Sequence, residues 1–345
     1  MENFNIDNLV RENIKKLKPY SSARSEFSGN ASVFLDANEN PFDTGFNRYP
    51  DPLQRKLKEK LSFIKGVASE NIFLGNGSDE AIDLVYRVFC NPGKDNVIAP
   101  DPTYGMYEVC AEINDIEYRK VNLDADFDID VDSILAKTDE NTKVIFICSP
   151  NNPTGNLMTR SKVIRILDNF KGIVVVDEAY IDFASEKSLS SLLTQYPNLI
   201  IFQTFSKAWG LASIRLGIAF ASSQIISYYN KVKYPYNVNI LTQSHALEIL
   251  DNEEKVKEDV DYILKEREEM INSLKDLSYV IKVYPTDSNF ILVKVKDANF
   301  AYDKLMEKGV VVRNRNKITL CSGCLRITVG TENENNNVID VLSSL

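Results

Sequence analysis

A series of continuous apolar runs, each closing on polar or small residues, most constrains the fold of this chain. They are "KVIFICSP" from Lys143, "GIVVVDEAY" from Gly172, "NLIIFQTFS" from Asn198 and "RLGIAFAS" from Arg215, with a shorter "NVIAP" from Asn96. A strand with one wet face alternates apolar and polar residues. These runs do not, so both of their faces must be covered. Helical patterns stand between them, in "SDEAIDLVYRVF", "YGMYEVCAEI" and "RSKVIRILDNF". Strands alternating with helices predict an α/β fold around a mainly parallel sheet.

The pattern changes after residue 250. From Lys255 to Leu277 the apolar residues Val256, Val260, Ile263, Leu264, Ile271 and Leu274 recur at helical spacing among charges, which predicts a long amphipathic helix. Beyond it, "YVIKVYP", "NFILVKV", "VVVRNR" and "CLRITVG", with one helix "NFAYDKLMEKG", suggest a smaller α+β unit. The polar "ENENNN" near the C-terminus reads as a solvated helix start. A chain of 345 residues suits about two domains.

Charge and composition prune the function classes. A net charge of -9 argues against non-specific nucleic-acid binding, which needs a cationic field, but leaves room for a local arginine cluster. No apolar run approaches the roughly 20 residues of a membrane span. The start "MENFNIDNLVRENIKKL" lacks the apolar centre of a signal peptide, so a cytoplasmic protein is expected. Five cysteines, an odd number, suggest free thiols. The "CSGC" of Cys321 and Cys324 lacks the second pair or histidines that a zinc site needs. The single histidine, His245, lies in the helical "TQSHALEIL" and is expected to pack rather than to act as a base. Lysine is then the next candidate for proton transfer.

In open α/β sheets ligands sit beyond the carboxyl ends of strands, and several such junctions here are polar. "GNGSDE" sets two glycines before a helix start, where the amides of Ser78 and Asp79 can hold a phosphate; an ordinary capped turn would look the same. "SPNNPTG" holds Asn152 before a proline, in an extended conformation that can aim its amide into a site. "VVVDEAY" ends on Asp177, either a solvated strand end or a carboxylate buried against a cation. "FQTFSKAWGLASIRLG" follows a buried strand with Ser206 and Lys207, and then with Arg215. A lysine amine can form a Schiff base with an aldehyde cofactor, and enzymes of pyridoxal 5'-phosphate pair that lysine with an aspartate on the ring nitrogen. Lys207, Asp177, Asn152, the glycine turn with Ser78, and Arg215 are the parts such a cofactor needs.

The chain also resembles a known family, the fold-type I pyridoxal-phosphate-dependent aminotransferases. The likeness rests on "KPYSSAR", "LDANENP", "NRYPDP", "GNGSDE", "PTYGMY", "SPNNPTG", "VVDEAYIDF", "TFSKAWGLASIRLG", "VVVRNR" and "SGCLRITVGT", which occur in the family's order across nearly the whole chain. It implies a large domain with a mainly parallel seven-stranded sheet flanked by helices (46–250), a small C-terminal domain (251–345), and an N-terminal arm with part of the small domain (1–45). It implies Lys207 as the Schiff-base lysine, Asp177 on the pyridine nitrogen, and Tyr180 and Asn152 at the phenolic oxygen. Tyr104 would stack on the ring, and Ser78, Asp79, Ser206 and Arg215 would form the phosphate cup. Tyr49 would reach the cofactor of a neighbouring subunit, which makes the expected enzyme a homodimer with shared sites.

The closest likeness is to the branch serving histidine biosynthesis, whose substrates are L-histidinol phosphate and 2-oxoglutarate. There Arg326 matches an arginine near the substrate's anionic end, Arg313 and Tyr20 match groups that bind its phosphate, and Asn152 joins the substrate contacts. From the residues alone Arg313 and Arg326 are equally surface charges or ligands. Trp209 departs from the family's phenylalanine without moving any role. A threonine-phosphate decarboxylase, an aromatic amino-acid aminotransferase and, more remotely, a non-catalytic phosphate-binding module stand as alternatives.

Overall fold

The computed structural model describes residues 5–20 and 32–345. Seven strands form the larger sheet: β1 (Ile72–Asn76), β2 (Asn96–Asp101), β3 (Glu117–Asn122), β4 (Thr142–Cys148), β5 (Ile173–Asp177), β6 (Leu199–Thr204) and β7 (Leu216–Ala221). Their order is β1-β7-β6-β5-β4-β2-β3. β7 runs antiparallel to both its neighbours, and the other pairs are parallel.

The apolar runs have the expected cause. Ile145, Ile147, Val174, Val176, Leu199 and Ile201 enter one core, while Val144, Phe146, Val175, Ile200 and Phe202 enter another. Successive side chains point to opposite faces, so the middle of each strand feeds two cores, and polar residues stand only at the strand ends. The helix Gly77–Phe89 covers one face through Ile82, Val85 and Phe89, and the helix Arg160–Asn169 covers the other through Val163, Ile166 and Leu167.

The second sheet has the order β10-β11-β9-β8, all antiparallel, from β8 (Val280–Val283), β9 (Phe290–Val295), β10 (Arg313–Asn314) and β11 (Cys324–Thr328). Its core includes Ile291, Val293, Leu325 and Ile327, packed with residues of the helices Glu253–Lys275, Ala298–Glu307 and Glu332–Ser343. The last helix starts in the acidic run, where Thr331 and Glu334 form a capping box that satisfies two orphan amides.

Several elements differ from the reading of the sequence. The long helix spans Glu253–Lys275, two residues earlier at each end than its apolar spacing suggests, because Asn252 begins it and Asp276 ends it. "VVVRNR" yields only the two-residue β10. β3 escaped the pattern altogether: it is an edge strand whose Glu117 and Asn122 are exposed, so it carries no apolar run. His245 does not pack inward. It is exposed, with Nδ1 3.2 Å from Glu248. All five cysteines are free and buried, and no group of potential metal ligands forms among the described residues. No described helix is long and apolar enough to cross a membrane.

The antiparallel turn of β7 brings Gly217 against the first turn of the helix Gly77–Phe89. A Cβ on Gly217 would lie 2.1 Å from the backbone carbon of Gly77 and from the nitrogen of Ser78. No side chain fits there without moving that helix start. Gly217→Ala is therefore expected to cost about 1–3 kcal/mol, read from the urea midpoint.

Candidate active site

The sheet's topology decides where the polar junctions meet. β2, β4, β5 and β6 are mutually aligned, and β1 is parallel to β6 because both are antiparallel to β7. Their carboxyl ends share one edge with the start of β7. One cavity of about 140 Å³ opens there, lined by Ser78, Asp79, Tyr104, Cys148, Asn152, Asp177, Ala179, Tyr180, Thr204, Ser206, Lys207, Ala212 and Arg215. Nine of these were named from the sequence.

Asp177 closes β5 and is 2% exposed. The Tyr107 hydroxyl donates to its Oδ2 at 2.7 Å, and the Ala179 amide donates to its Oδ1 at 3.1 Å. Burial dominates over these bonds and raises the carboxyl pKa to about 6. The next residue, Glu178, points the other way and is buried too. It accepts from Ser188 Oγ, the Leu189 amide and Gln203 Nε2. The "DE" pair is thus no solvated strand end; alternation sends one carboxylate to the cavity and the other into a closed network.

Lys207 follows β6 after two residues and opens onto the cavity, its Nζ 5.6 Å from the Tyr180 ring centre. Desolvation lowers its pKa, helped by the positive charges of Arg326 and Arg215. Burial also raises the Tyr180 hydroxyl pKa, and that hydroxyl accepts from Asn152 Nδ2 at 3.4 Å. Arg326 on β11 donates to the Oδ1 of Asn152, and its guanidinium lies 5.1 Å from the Phe290 ring centre.

The opposite end of the cavity is a cation at a helix start. Arg215 precedes β7 with φ +54°, a left-handed conformation that costs a non-glycine residue about 1–2 kcal/mol. Its carbonyl accepts from the Gly77 amide at 2.9 Å, and its Nη2 reaches Asp79 Oδ2 at 3.2 Å. Gly77 has φ +70°, and a Cβ there would stand 2.5 Å from Arg215 Nη2, so glycine is what lets the arginine lie over the helix start. Tyr104 donates to Asp79 Oδ1 at 3.1 Å.

These parts fit pyridoxal phosphate. A helix N-terminus and Arg215 suit its phosphate, a buried carboxylate that lacks a cation suits its ring nitrogen, and a lysine amine opening onto the cavity suits its aldehyde. Four other residues named from the sequence lie outside the cavity lining. Arg326 touches it through Asn152, and Arg313 faces Arg326 across the β10–β11 pair. Tyr49 is half exposed and stacks on Tyr236 at 4.4 Å, while Tyr20 is 73% exposed. Ser21 to Arg24 of "KPYSSAR", with the rest of 21–31 and residues 1–4 of the expected arm, lie outside the described residues.

Tyr107 is the site-building residue that sequence reasoning missed. It is fully buried, stacks on Phe146 at 4.8 Å and meets Tyr104 edge to face at 5.6 Å. Its spacing three residues after Tyr104, at the start of the helix Met106–Ile113, was the available signal.

Known proteins resemble this chain in sequence and in fold. The family description "Aminotransferase class I and II" matches residues 32–342. The histidinol-phosphate aminotransferase of Parabacteroides distasonis is 56% identical over 340 residues, covering 99% of each chain. The crystal structure of the histidinol-phosphate aminotransferase from Clostridium acetobutylicum has a TM-score of 0.80 at 24% identity, covering 87% of this chain and 91% of that one. The Sinorhizobium meliloti enzyme in complex with pyridoxal-5'-phosphate has a TM-score of 0.79 at 24% identity, covering 86% and 82%.

The buried carboxylate has a measurable consequence. A pKa raised from 3.8 to about 6 means that Asp177's contribution to stability is full below about pH 3.8 and is lost as pH rises through about 6. Relative to Asp177→Asn, the ligand-free protein should lose up to roughly 3 kcal/mol across that window, measured by urea unfolding at a series of pH values.

Proposed function

This chain belongs to the class I and II aminotransferases, and on that premise we propose that it moves an amino group between L-histidinol phosphate and 2-oxoglutarate. The products are imidazole acetol phosphate and glutamate, a step of histidine biosynthesis, with pyridoxal phosphate as cofactor. The observation that carries the reading is the convergence of Lys207, Asp177 and Arg215 on one cavity with Arg326 at its margin. The full-length likeness to curated histidinol-phosphate aminotransferases supports the choice of substrate.

Position in the cavity supports the following roles. Ser78, Asp79, Ser206 and Arg215 would hold the cofactor phosphate. Asp177 would keep the ring nitrogen protonated, Asn152 and Tyr180 would meet the phenolic oxygen, and Tyr104 would lie against the ring. Lys207 would be the covalent anchor. When bound, the cofactor supplies an electron sink for negative charge on the substrate carbon. Once the substrate's own amine has displaced it from the cofactor, the freed Lys207 Nζ would take the proton from that carbon, and its lowered pKa leaves more of the free amine neutral and able to do so. Arg326 and Arg313, with Tyr20 and Asn152, would bind the anionic end of either substrate, since phosphate and carboxylate both suit a guanidinium fork.

The active form we propose is a homodimer. Val33, Leu35, Phe42 and Phe46 are largely exposed, with Tyr49 beside them in sequence. An apolar stretch of that kind calls for a cover, and a second copy would bring Tyr49 to its neighbour's cofactor. The same reading divides the chain into an arm at 1–45, a large domain at 46–250 and a small domain at 251–345, in a cytoplasmic enzyme.

With L-histidinol phosphate and 2-oxoglutarate the holoenzyme is expected to form glutamate. Lys207→Ala should lower kcat by at least about 100-fold. Release of carbon dioxide from threonine phosphate, with no glutamate formed, would move the assignment to a decarboxylase. Cofactor affinity of the apoenzyme should fall as pH drops through about 6, where Asp177 takes up a proton. Asp177→Asn should flatten that dependence in a fluorescence titration.

A further inference from the structure

The β10–β11 pair carries Arg313 and Arg326, and Arg315, which has no role so far, follows directly after β10. Arg313 lies directly opposite Arg326 in the register. Arg315 continues the ladder, its amide donating to the Cys324 carbonyl at 2.9 Å. Asn314 and Asn316 both turn their amides to Asn299 on the helix Ala298–Glu307, at 2.9 and 3.4 Å. Side chains alternate along an extended chain, so Arg313 and Arg315 leave by the opposite face, the one they share with Arg326.

Three guanidinium groups therefore gather on one side of the small sheet. Arg315 and Arg326 are partly buried, and the Nε of each is buried with no acceptor. Among the described residues no carboxylate forms an ion pair with any of the three. Desolvation lowers the pKa of both Arg315 and Arg326, and neighbouring arginine charge lowers it further. Crowded, desolvated like charges with unused donors are unfavourable until an anion joins them. The cluster also borders the cavity, because Arg326 bonds Asn152 in its lining.

We propose that Arg315 is a third anion-binding residue, completing with Arg313 and Arg326 a subsite that selects phosphorylated over unphosphorylated amines. The inference rests on the function proposed above and names the residue that would set its specificity. A phosphate monoester carries up to two charges and three strong acceptor oxygens, more than a carboxylate offers, so it can use all three guanidinium groups.

The test uses the full-length holoenzyme and compares kcat/KM for L-histidinol phosphate with that for L-histidinol. In Arg315→Gln the ratio of the two is expected to fall at least about tenfold, through a higher KM for the phosphorylated amine. Arg315→Lys, which keeps the charge and loses the fork, should recover part of it. A ratio unchanged from wild type, or an equal loss on both amines, would leave Arg315 only a structural part and overturn the inference while the function stands. A wild-type enzyme that transaminates neither amine would remove the proposed function and the inference with it.

Discussion

The site depends on a carboxylate taken out of water. Asp177 sits at the end of the central strand β5 between two covered faces, where an unpaired charge would be costly. Two donors, the Tyr107 hydroxyl and the Ala179 amide, make it tolerable without making it comfortable, and its pKa stays raised. A cation beside it would relieve that residual cost. A better-solvated aspartate would gain less from a protonated ring nitrogen.

The opposite end of the cavity is arranged on the same principle. Arg215 is held in a left-handed conformation, over a glycine that gives it room, with Asp79 as its counter-ion. Asp79 is also the acceptor for Tyr104, so Tyr104 and Arg215 are tied to one carboxylate. The glycines here serve close approach. Gly217 lets β7 touch the helix start, and Gly77 lets the arginine cross it. Packing and electrostatics are set by the same few backbone positions.

The two sheets meet at the margin of the cavity. Arg326 belongs to the small sheet and Asn152 to a loop of the large one, and the bond between them joins the two. Phe290 on β9 links the same elements through apolar contact, lying edge to face with Tyr180 at 5.2 Å. An anion that draws the arginine face toward the cavity would act on this contact.

Much of this was legible in the sequence, for particular reasons. β4, β5 and β6 announced themselves because burial on both faces leaves only apolar residues along the middle of each strand. Lys207, Asp177, Asn152 and the glycine turn were visible because strand ends are where a chain changes from apolar to polar. β3 was not visible, since an edge strand needs no apolar run. Tyr107 was not singled out, because a tyrosine in a helix looks like core until its hydroxyl is seen 2.7 Å from a carboxylate. The sequence by itself determined which residue types stand at each strand end. Only the tertiary structure decided that they share a cavity, because the direction of each strand, including the reversal of β7, is set by long-range pairing that no local pattern encodes.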